Sequence, residues 1–304
     1  MTASDESVSS QAPAAPRVSV IVPHYNDLAR LGLCLDALTR QTYPADLTEI
    51  VVSDNASPCG EAALTELIAG RARLTITPTP GAGPTRNGGA DIATGEIFAF
   101  TDADCVPEPQ WLAEGIAALA DHDFVGGAMR VLVEDAARLT PAEAFERVFA
   151  FDNAAYVARK GFSVTANLFC PRAVFEAVGG FRTGVSEDMD WCYRARAAGY
   201  RIGYAPKAIV GHPARRTWQE ITTKWRRLNA EQFGLIKDRP LGRWRWLAKS
   251  ALVPASALAH TPKVMASDQL GSLGQRLGAL AMLYRLRLWR SADAMRILIS
   301  PERP

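Results

Sequence analysis

The chain has 304 residues, of which 48% are hydrophobic and 22% charged, a globular composition that excludes a fibrous or wholly disordered protein. Five scattered cysteines (34, 59, 105, 170 and 192) contain no Cys-x-x-Cys pair, which argues against a disulfide framework or zinc site and for a reducing, cytoplasmic setting. The net charge of +2 hides an asymmetry: residues 1–200 carry 15 Lys/Arg against 26 Asp/Glu, residues 201–304 carry 19 against 6. A basic final third calls for an anionic partner such as phospholipid, a lipid diphosphate or nucleic acid, unless it merely balances the acidic part.

Residues 1–16 are rich in Ala, Ser and Pro and lack a basic start and an apolar core. They read as a disordered tail rather than a signal peptide. Arg17 to Val22 is a β-branched run closed by Pro23, the first buried strand. Leu28, Leu31, Leu35 and Leu38 recur at helical spacing. Strands follow at 49–53, 74–77 and 96–101, with helices at 61–69 and 86–93 between them. This alternation predicts a mostly parallel α/β sheet with helices on both faces. Beyond it come a helix over 110–120, a strand over 124–133 with a Gly126-Gly127 irregularity, and helix and loop over 138–159. A strand at 164–170, helices at 172–178 and 188–198, and two short strands at 202–204 and 208–210 lead to His212 and a basic helix over 218–233.

The segment after about 240 changes character. Its longest uncharged stretch, 250–262, contains Pro254 and is too short for a bilayer, which needs about 20 residues. Leu273, Leu277, Ala281, Tyr284 and Leu288 share one helical face, with Arg276, Arg287 and Arg290 off it. That pattern suits a helix lying at a membrane interface, and suits a packing helix nearly as well.

The strongest chemical signal is Phe100-Thr101-Asp102-Ala103-Asp104. In extended chain, side chains at i and i+2 point the same way, so both carboxylates converge at the carboxyl end of a buried strand, where open α/β sheets bind ligands. Two hard oxygen donors there suit Mg²⁺ or Mn²⁺ against phosphate oxygens. Tyr25 and Asp54, at neighbouring strand ends, can offer a nucleotide an aromatic shelf and a fixed acceptor; alone, they read as an ordinary tyrosine and an Asx-turn residue.

Four further segments fall in order around these carboxylates: Pro23-His24-Tyr25-Asn26, Ser53-Asp54-Asn55, Gly83-Pro84-Thr85-Arg86-Asn87-Gly88-Gly89, and Glu187-Asp188-Met189-Asp190-Trp191 after Gly179-Gly180-Phe181. Together they resemble glycosyltransferase family 2 over residues 17–235. The resemblance implies the GT-A fold, a nucleotide-diphosphate sugar donor and inversion of the anomeric centre. It implies nucleotide contacts from Pro23, Tyr25, Asn26, Asp54, Arg86, Asn87, Asp102 and Ala103, and a divalent metal on Asp104 and Asp102 that His212 can complete. Asp188 matches the general base, with Glu187 beside it to tune it by like-charge repulsion. Trp191 either walls the acceptor site or belongs to the core.

The Gln-x-x-Arg-Trp of processive synthases is absent from the corresponding 222–227, which reads Thr-Thr-Lys-Trp-Arg-Arg and implies single addition. The expected organisation is a tail (1–16), a GT-A domain (17–235) and a basic amphipathic helical extension (236–304). The acceptor expected is a glycan, a lipid-linked saccharide or a small molecule in cell-envelope synthesis, with peripheral contact at the inner membrane's cytoplasmic face and no nucleic acid. Two alternatives are a sugar-phosphate nucleotidyltransferase and a non-catalytic protein that kept the fold. The first expects a Gly-rich loop after strand one, where Pro23 to Asp27 has no glycine.

Overall fold

A computed structural model describes residues 15–299; the tail expected at 1–16 falls almost wholly outside them. Strands β1 (Val18–His24), β2 (Thr48–Asp54), β3 (Arg73–Ile76) and β4 (Ile97–Phe100) alternate with helices α1 (Leu28–Leu38), α2 (Gly60–Ile68) and α3 (Ala82–Ile92). Next come β5 (Val106–Pro107), α4 (Trp111–Ala118), β6 (Phe124–Leu132), α5 (Pro141–Phe149) and the short α6 (Asn153–Ala155), which runs into a π-helical turn over Tyr156–Lys160. β7 (Leu168–Pro171), α7 (Arg172–Val178), α8 (Glu187–Ala197), β8 (Ile202–Pro213) and α9 (Trp218–Gly234) complete the α/β part. Helices α10 (Gly242–Leu252), α11 (Ala255–Met265) and α12 (Leu273–Ile299) follow.

One eight-stranded sheet runs in the order β3-β2-β1-β4-β7-β6-β8-β5. The first four strands are parallel, as the alternation of strand and helix requires. β7 is antiparallel to both β4 and β6, so the sheet is mixed on that side. β1 lies between β2 and β4, the switch point where ligands bind at the carboxyl ends of the strands. The two short strands expected near 202–210 are one strand, β8. Its register against β6 jumps between Gly127 and Ala128, leaving Pro206 to Ala208 unpaired. A Cβ at Gly127 would lie 2.3 Å from the Ala208 carbonyl oxygen, so only glycine permits this approach.

Period-two alternation divides the core. Val18, Val20 and Val22 face α1, α2 and α4, whereas Ile21, Phe98 and Phe100 face α3, α7 and α8. On the second face Phe98, Phe100, Phe175, Phe181 and Trp191 pack with ring centroids 5.3–6.2 Å apart. Full burial of each such side chain stabilises by roughly 1.5–3 kcal/mol. Trp191 is fully buried and donates its Nε1 hydrogen to the Gly179 carbonyl, which resolves its two readings in favour of the core.

The helices after 240 build a further core with α5 and α9: Phe145, Val148, Ile221, Val264, Ala279, Leu283 and Leu286 are buried together. α12 packs through Ala279, Met282, Leu283 and Leu286, not through the stripe singled out by its sequence. Leu273, Leu277 and Leu288 of that stripe stay 55–62% exposed. No described helix is long and apolar enough to cross a membrane.

Candidate active site

A cleft of about 1340 Å³ lies over the carboxyl ends of β1 and β4 and reaches α5, α8 and α9. Pro23, Tyr25, Arg86, Asp102, Ala103, Asp104, Glu187, Asp188 and His212 all line it. The chain thus brings together in one cleft residues more than 180 positions apart.

Arg86 joins the two halves. Buried in α3, it donates to Asp102 Oδ1 at 2.5 Å and to Glu187 Oε1 at 2.9 Å. A planar guanidinium can hold two carboxylates at once, as a lysine could not with the same geometry. Its pKa is raised: burial opposes the charge, but Asp102 and Glu187 outweigh it. The glycines of this segment serve packing more than ligand approach. A Cβ at Gly88 would meet Thr77 Oγ1 at 2.1 Å, and one at Gly89 would meet Ile21 at 2.7 Å, so they let α3 press onto the sheet.

Asp54, Asn26 and Asn87 do not line the cleft. The parallel register sets Asp54 beside His24, and its buried carboxylate accepts from Ser57 N–H and Ser57 Oγ and lies 2.7 Å from His24 Nδ1. Asn26, at φ 49°, donates its backbone N–H to Ser57 Oγ. Asn87 exchanges two hydrogen bonds with the Phe181 backbone. All three brace the loops that carry Tyr25, Asn55 and α8.

Asp104 Oδ2 lies 3.5 Å from His212 Nε2. His212 Nδ1 lies 2.8 Å from the Pro213 carbonyl, which can only accept, so Nδ1 donates there and Nε2 is the ring nitrogen left facing Asp104. Asp102 and Asp104 bring two hard carboxylate donors close enough for one divalent cation, and His212 lies beside Asp104 only. Cys105 also lies within reach of both aspartates. It is a poor ligand, because burial and then the two carboxylates hold its thiol pKa well above normal.

Asp188 opens α8. One carboxylate oxygen accepts from Met189 N–H at 2.7 Å, and the carboxyl lines the cleft. Its surroundings push its pKa from 3.8 up to about 7, first by burial and then by repulsion from Glu187. Because the folded state holds this proton more tightly, the stability Asp188 contributes is full below its unfolded pKa and is lost as pH rises through about 7. Asp188→Asn should remove that loss. By urea unfolding, the variant should gain on wild type by a few kcal/mol between about pH 5 and about pH 8; an unchanged difference would contradict the raised pKa.

Several cleft residues escaped the sequence reading. Buried Glu146 of α5 accepts from the Arg215 backbone and side chain and from Lys224 Nζ at 3.1 Å, anchoring the segment after His212 to α9. Phe151 packs 5.0 Å from the His212 ring, and Tyr156 stacks on Phe162. The one local signal was the capping box Thr140-Pro-Ala-Glu143 that starts α5.

The glycosyl transferase family 2 profile matches residues 19–181. Glycosyltransferase AglE of Haloferax volcanii is 33% identical over 66% of this chain and 68% of its own length. The probable glycosyltransferase YdaM of Bacillus subtilis is 28% identical over 73% of the chain, which spans only 57% of that relative. In three dimensions the chain superposes on the mannosyltransferase PcManGT of Pyrobaculum calidifontis, solved with GDP-Man and Mn²⁺. The TM-score is 0.60 over 95% of this chain and 88% of that one, at 24% identity, a likeness of fold. The chain belongs to glycosyl transferase family 2 and is a glycosyltransferase with a GT-A-like fold.

Proposed function

We propose that the protein transfers one sugar from a nucleotide-diphosphate sugar to an acceptor hydroxyl, inverting the anomeric centre. The observation that carries this reading is the chain Asp102–Arg86–Glu187–Asp188, which ties the donor strand to a cleft-lining carboxyl of raised pKa. Tyr25, 62% exposed, offers its ring to the base or ribose beside Pro23, and Arg86, Asp102 and Ala103 form the floor under the diphosphate. Asp54, Asn26 and Asn87 hold these loops in place. Mg²⁺ or Mn²⁺ on Asp102, Asp104 and His212 supplies neutralisation of the charge on the leaving diphosphate. Asp188 takes the proton of the acceptor hydroxyl as that oxygen attacks from the face opposite the leaving group. Burial first, and then Glu187 held by Arg86, keep the Asp188 pKa high enough for that exchange near neutral pH. An assay of released products tests the reading. Nucleoside diphosphate from a sugar donor supports it, pyrophosphate from a nucleoside triphosphate makes the protein a nucleotidyltransferase, and no turnover with any donor leaves a binding protein.

We infer further that the helices after residue 240 dock on an anionic bilayer, as a role in surface glycan or glycolipid synthesis would require. Tyr284 Oη and Thr261 Oγ1 are 2.9 Å apart, so α11 and α12 run side by side. Leu258 and Met265 of α11 and Leu273, Leu277 and Leu288 of α12 are all exposed, and Trp244 of α10 is 69% exposed. Residues 242–299 hold nine Lys/Arg and two Asp/Glu, of which Asp293 is buried. Apolar side chains with a cationic surround suit the headgroup region. Full-length protein should sediment with phosphatidylglycerol-containing vesicles, less so at high salt, given a Debye length of about 8 Å at physiological ionic strength. Leu277→Asp and Leu288→Asp should each weaken that by about tenfold or more, since burying one leucine contributes roughly 1.5–3 kcal/mol. Wild-type sedimentation of both variants would remove the docking face, and concentration-dependent dimers lost in the variants would assign it to a second copy.

A further inference from the structure

Glu146 lines the cleft from the middle of α5 and is 1% exposed. The helix itself does not need this carboxylate. Glu143, one turn earlier, closes the capping box at Thr140, and Phe145 and Val148 supply the core contacts. The side-chain partners of Glu146 among the described residues all lie on other elements. Its oxygens accept from the Arg215 backbone N–H at 2.8 Å, from Arg215 Nη1 at 3.1 and 3.3 Å, and from Lys224 Nζ of α9 at 3.1 Å. Burial opposes its charge, but Lys224 and Arg215 outweigh it and keep the carboxyl below its ordinary pKa. Taking a charge out of water is costly, so what it holds in place matters more than any net gain in stability.

Two routes lead from Glu146, and both end on the His212 ring. The first is the backbone. Pro213 pairs with Leu132, the Ala214 N–H donates to the Leu132 carbonyl at 2.8 Å, and the Arg215 N–H donates to Glu146, so the exit from β8 is held residue by residue. The Pro213 carbonyl in that exit takes the His212 Nδ1 hydrogen and sets the ring's direction. The second route runs through side chains. Lys224 Nζ, held by Glu146, lies 5.5 Å from the centroid of the Phe151 ring, and Phe151 packs 5.0 Å from the His212 ring. With one edge tied to Pro213 and a face against Phe151, the imidazole presents Nε2 to Asp104 at 3.5 Å. We propose that Glu146 is a positioning residue for the reaction: through the Arg215 backbone, and through Lys224 and Phe151, it holds the His212 ring in the direction in which Nε2 meets a divalent ion on Asp104. The inference rests on the proposed metal site and names the group that orients its third ligand. Groups of this kind, one bond removed from the metal, govern affinity nearly as much as the ligands do.

The test is a double-mutant cycle on metal affinity in the full-length protein. The probe is Mn²⁺, titrated with and without GDP or UDP and read by the loss of the free-ion paramagnetic resonance signal against a protein-free control. His212→Ala should weaken Mn²⁺ binding by about tenfold or more, and Glu146→Gln by about tenfold, the scale on which loss of a ligand-orienting group acts. The two combined should bind no more weakly than His212→Ala alone, because Glu146 acts through the ring. Losses that multiply would place the effect of Glu146 elsewhere and overturn the inference, as would wild-type affinity in Glu146→Gln. Stability separates positioning from packing. Glu146→Gln strands Lys224, so the unfolding temperature of the metal-free variant should fall, and adding Lys224→Met should bring it back while Mn²⁺ affinity stays low. This second variant also carries the cycle should Glu146→Gln alone fail to fold. Affinity that returns together with stability would make Glu146 a counter-charge for Lys224 only and overturn the inference. Unchanged Mn²⁺ affinity in Asp104→Ala would instead strike the metal site itself, and the positioning role with it.

Discussion

Asp188→Asn is expected to lower turnover by roughly 10²–10⁴ while donor affinity stays nearly unchanged. The amide keeps the size of the carboxyl and one acceptor oxygen for Met189 N–H, but it cannot take the acceptor's proton. The pH profile separates a base from a merely structural group. With a pKa of about 7 in the free enzyme, wild-type kcat/KM should rise tenfold per pH unit below that value and level off above it, because only the ionised carboxylate accepts a proton. Residual activity of the variant should lose that limb. Glu187→Gln should cost less in rate and should shift the limb to lower pH, since it removes the like charge that raises Asp188. Its loss also frees one arm of Arg86, so a modest change in donor affinity is expected with it. Steady-state kinetics of both variants across the pH range, with donor affinity measured separately, decide the matter. Near-wild-type turnover in Asp188→Asn would pass the role to Glu187, because Glu187 lines the cleft and Asp190 does not.

Asp104→Ala should abolish the dependence of donor binding on divalent metal, with a larger effect than Asp102→Ala. The two carboxylates differ in their partners. Asp102 shares an oxygen with Arg86, whose charge already compensates part of it, whereas Asp104 faces the His212 ring, the Cys105 thiol and the cleft, with no Arg or Lys paired to it among the described residues. Both are partly exposed, so neither substitution empties a core site. Calorimetric titration of a sugar nucleotide with and without Mn²⁺ should show wild type gaining affinity from the metal and Asp104→Ala gaining none. His212→Ala should fall between them. The same metal dependence in Asp104→Ala as in wild type would remove the site from these residues. Asp102→Ala carries a second consequence: the buried Arg86 would keep Glu187 but lose the partner of its Nη2, and a buried donor left unpaired is destabilising. A lowered unfolding temperature in Asp102→Ala, absent in Asp104→Ala, is therefore expected.

Local periodicity was enough to read the first four strands and the helices between them, because β-branched runs and Leu spacing report which face of an element is buried. It also marked the switch-point end of β4, where Asp102 and Asp104 end an apolar strand. The Glu187-Asp188 pair was visible as residue types at a helix start, and the family's order of motifs supplied their expected roles. The partners of these residues could not be read in the same way. Arg86 meets Asp102 and Glu187 across 16 and 101 positions, and no local pattern reports a contact made by chain crossing. Asp54 at a strand end looked free to face a ligand, but the β1–β2 register put the His24 ring beside it. The bulge that joins 202–204 to 208–210 depends on the facing Gly127 and on Asn167, which donates to the Ala128 and Ala208 carbonyls. In α12 the sequence established an apolar stripe but not its direction. The helix has apolar residues on more than one side, and only the arrival of α5 and α11 decided that Leu283 and Leu286 turn inward and Leu277 and Leu288 outward. The charge on Arg290 was legible from the start; that its guanidinium lies over Trp225 with Nε buried and unpartnered came only with the packing of α12 against α9, because burial and pairing are properties of the assembled fold.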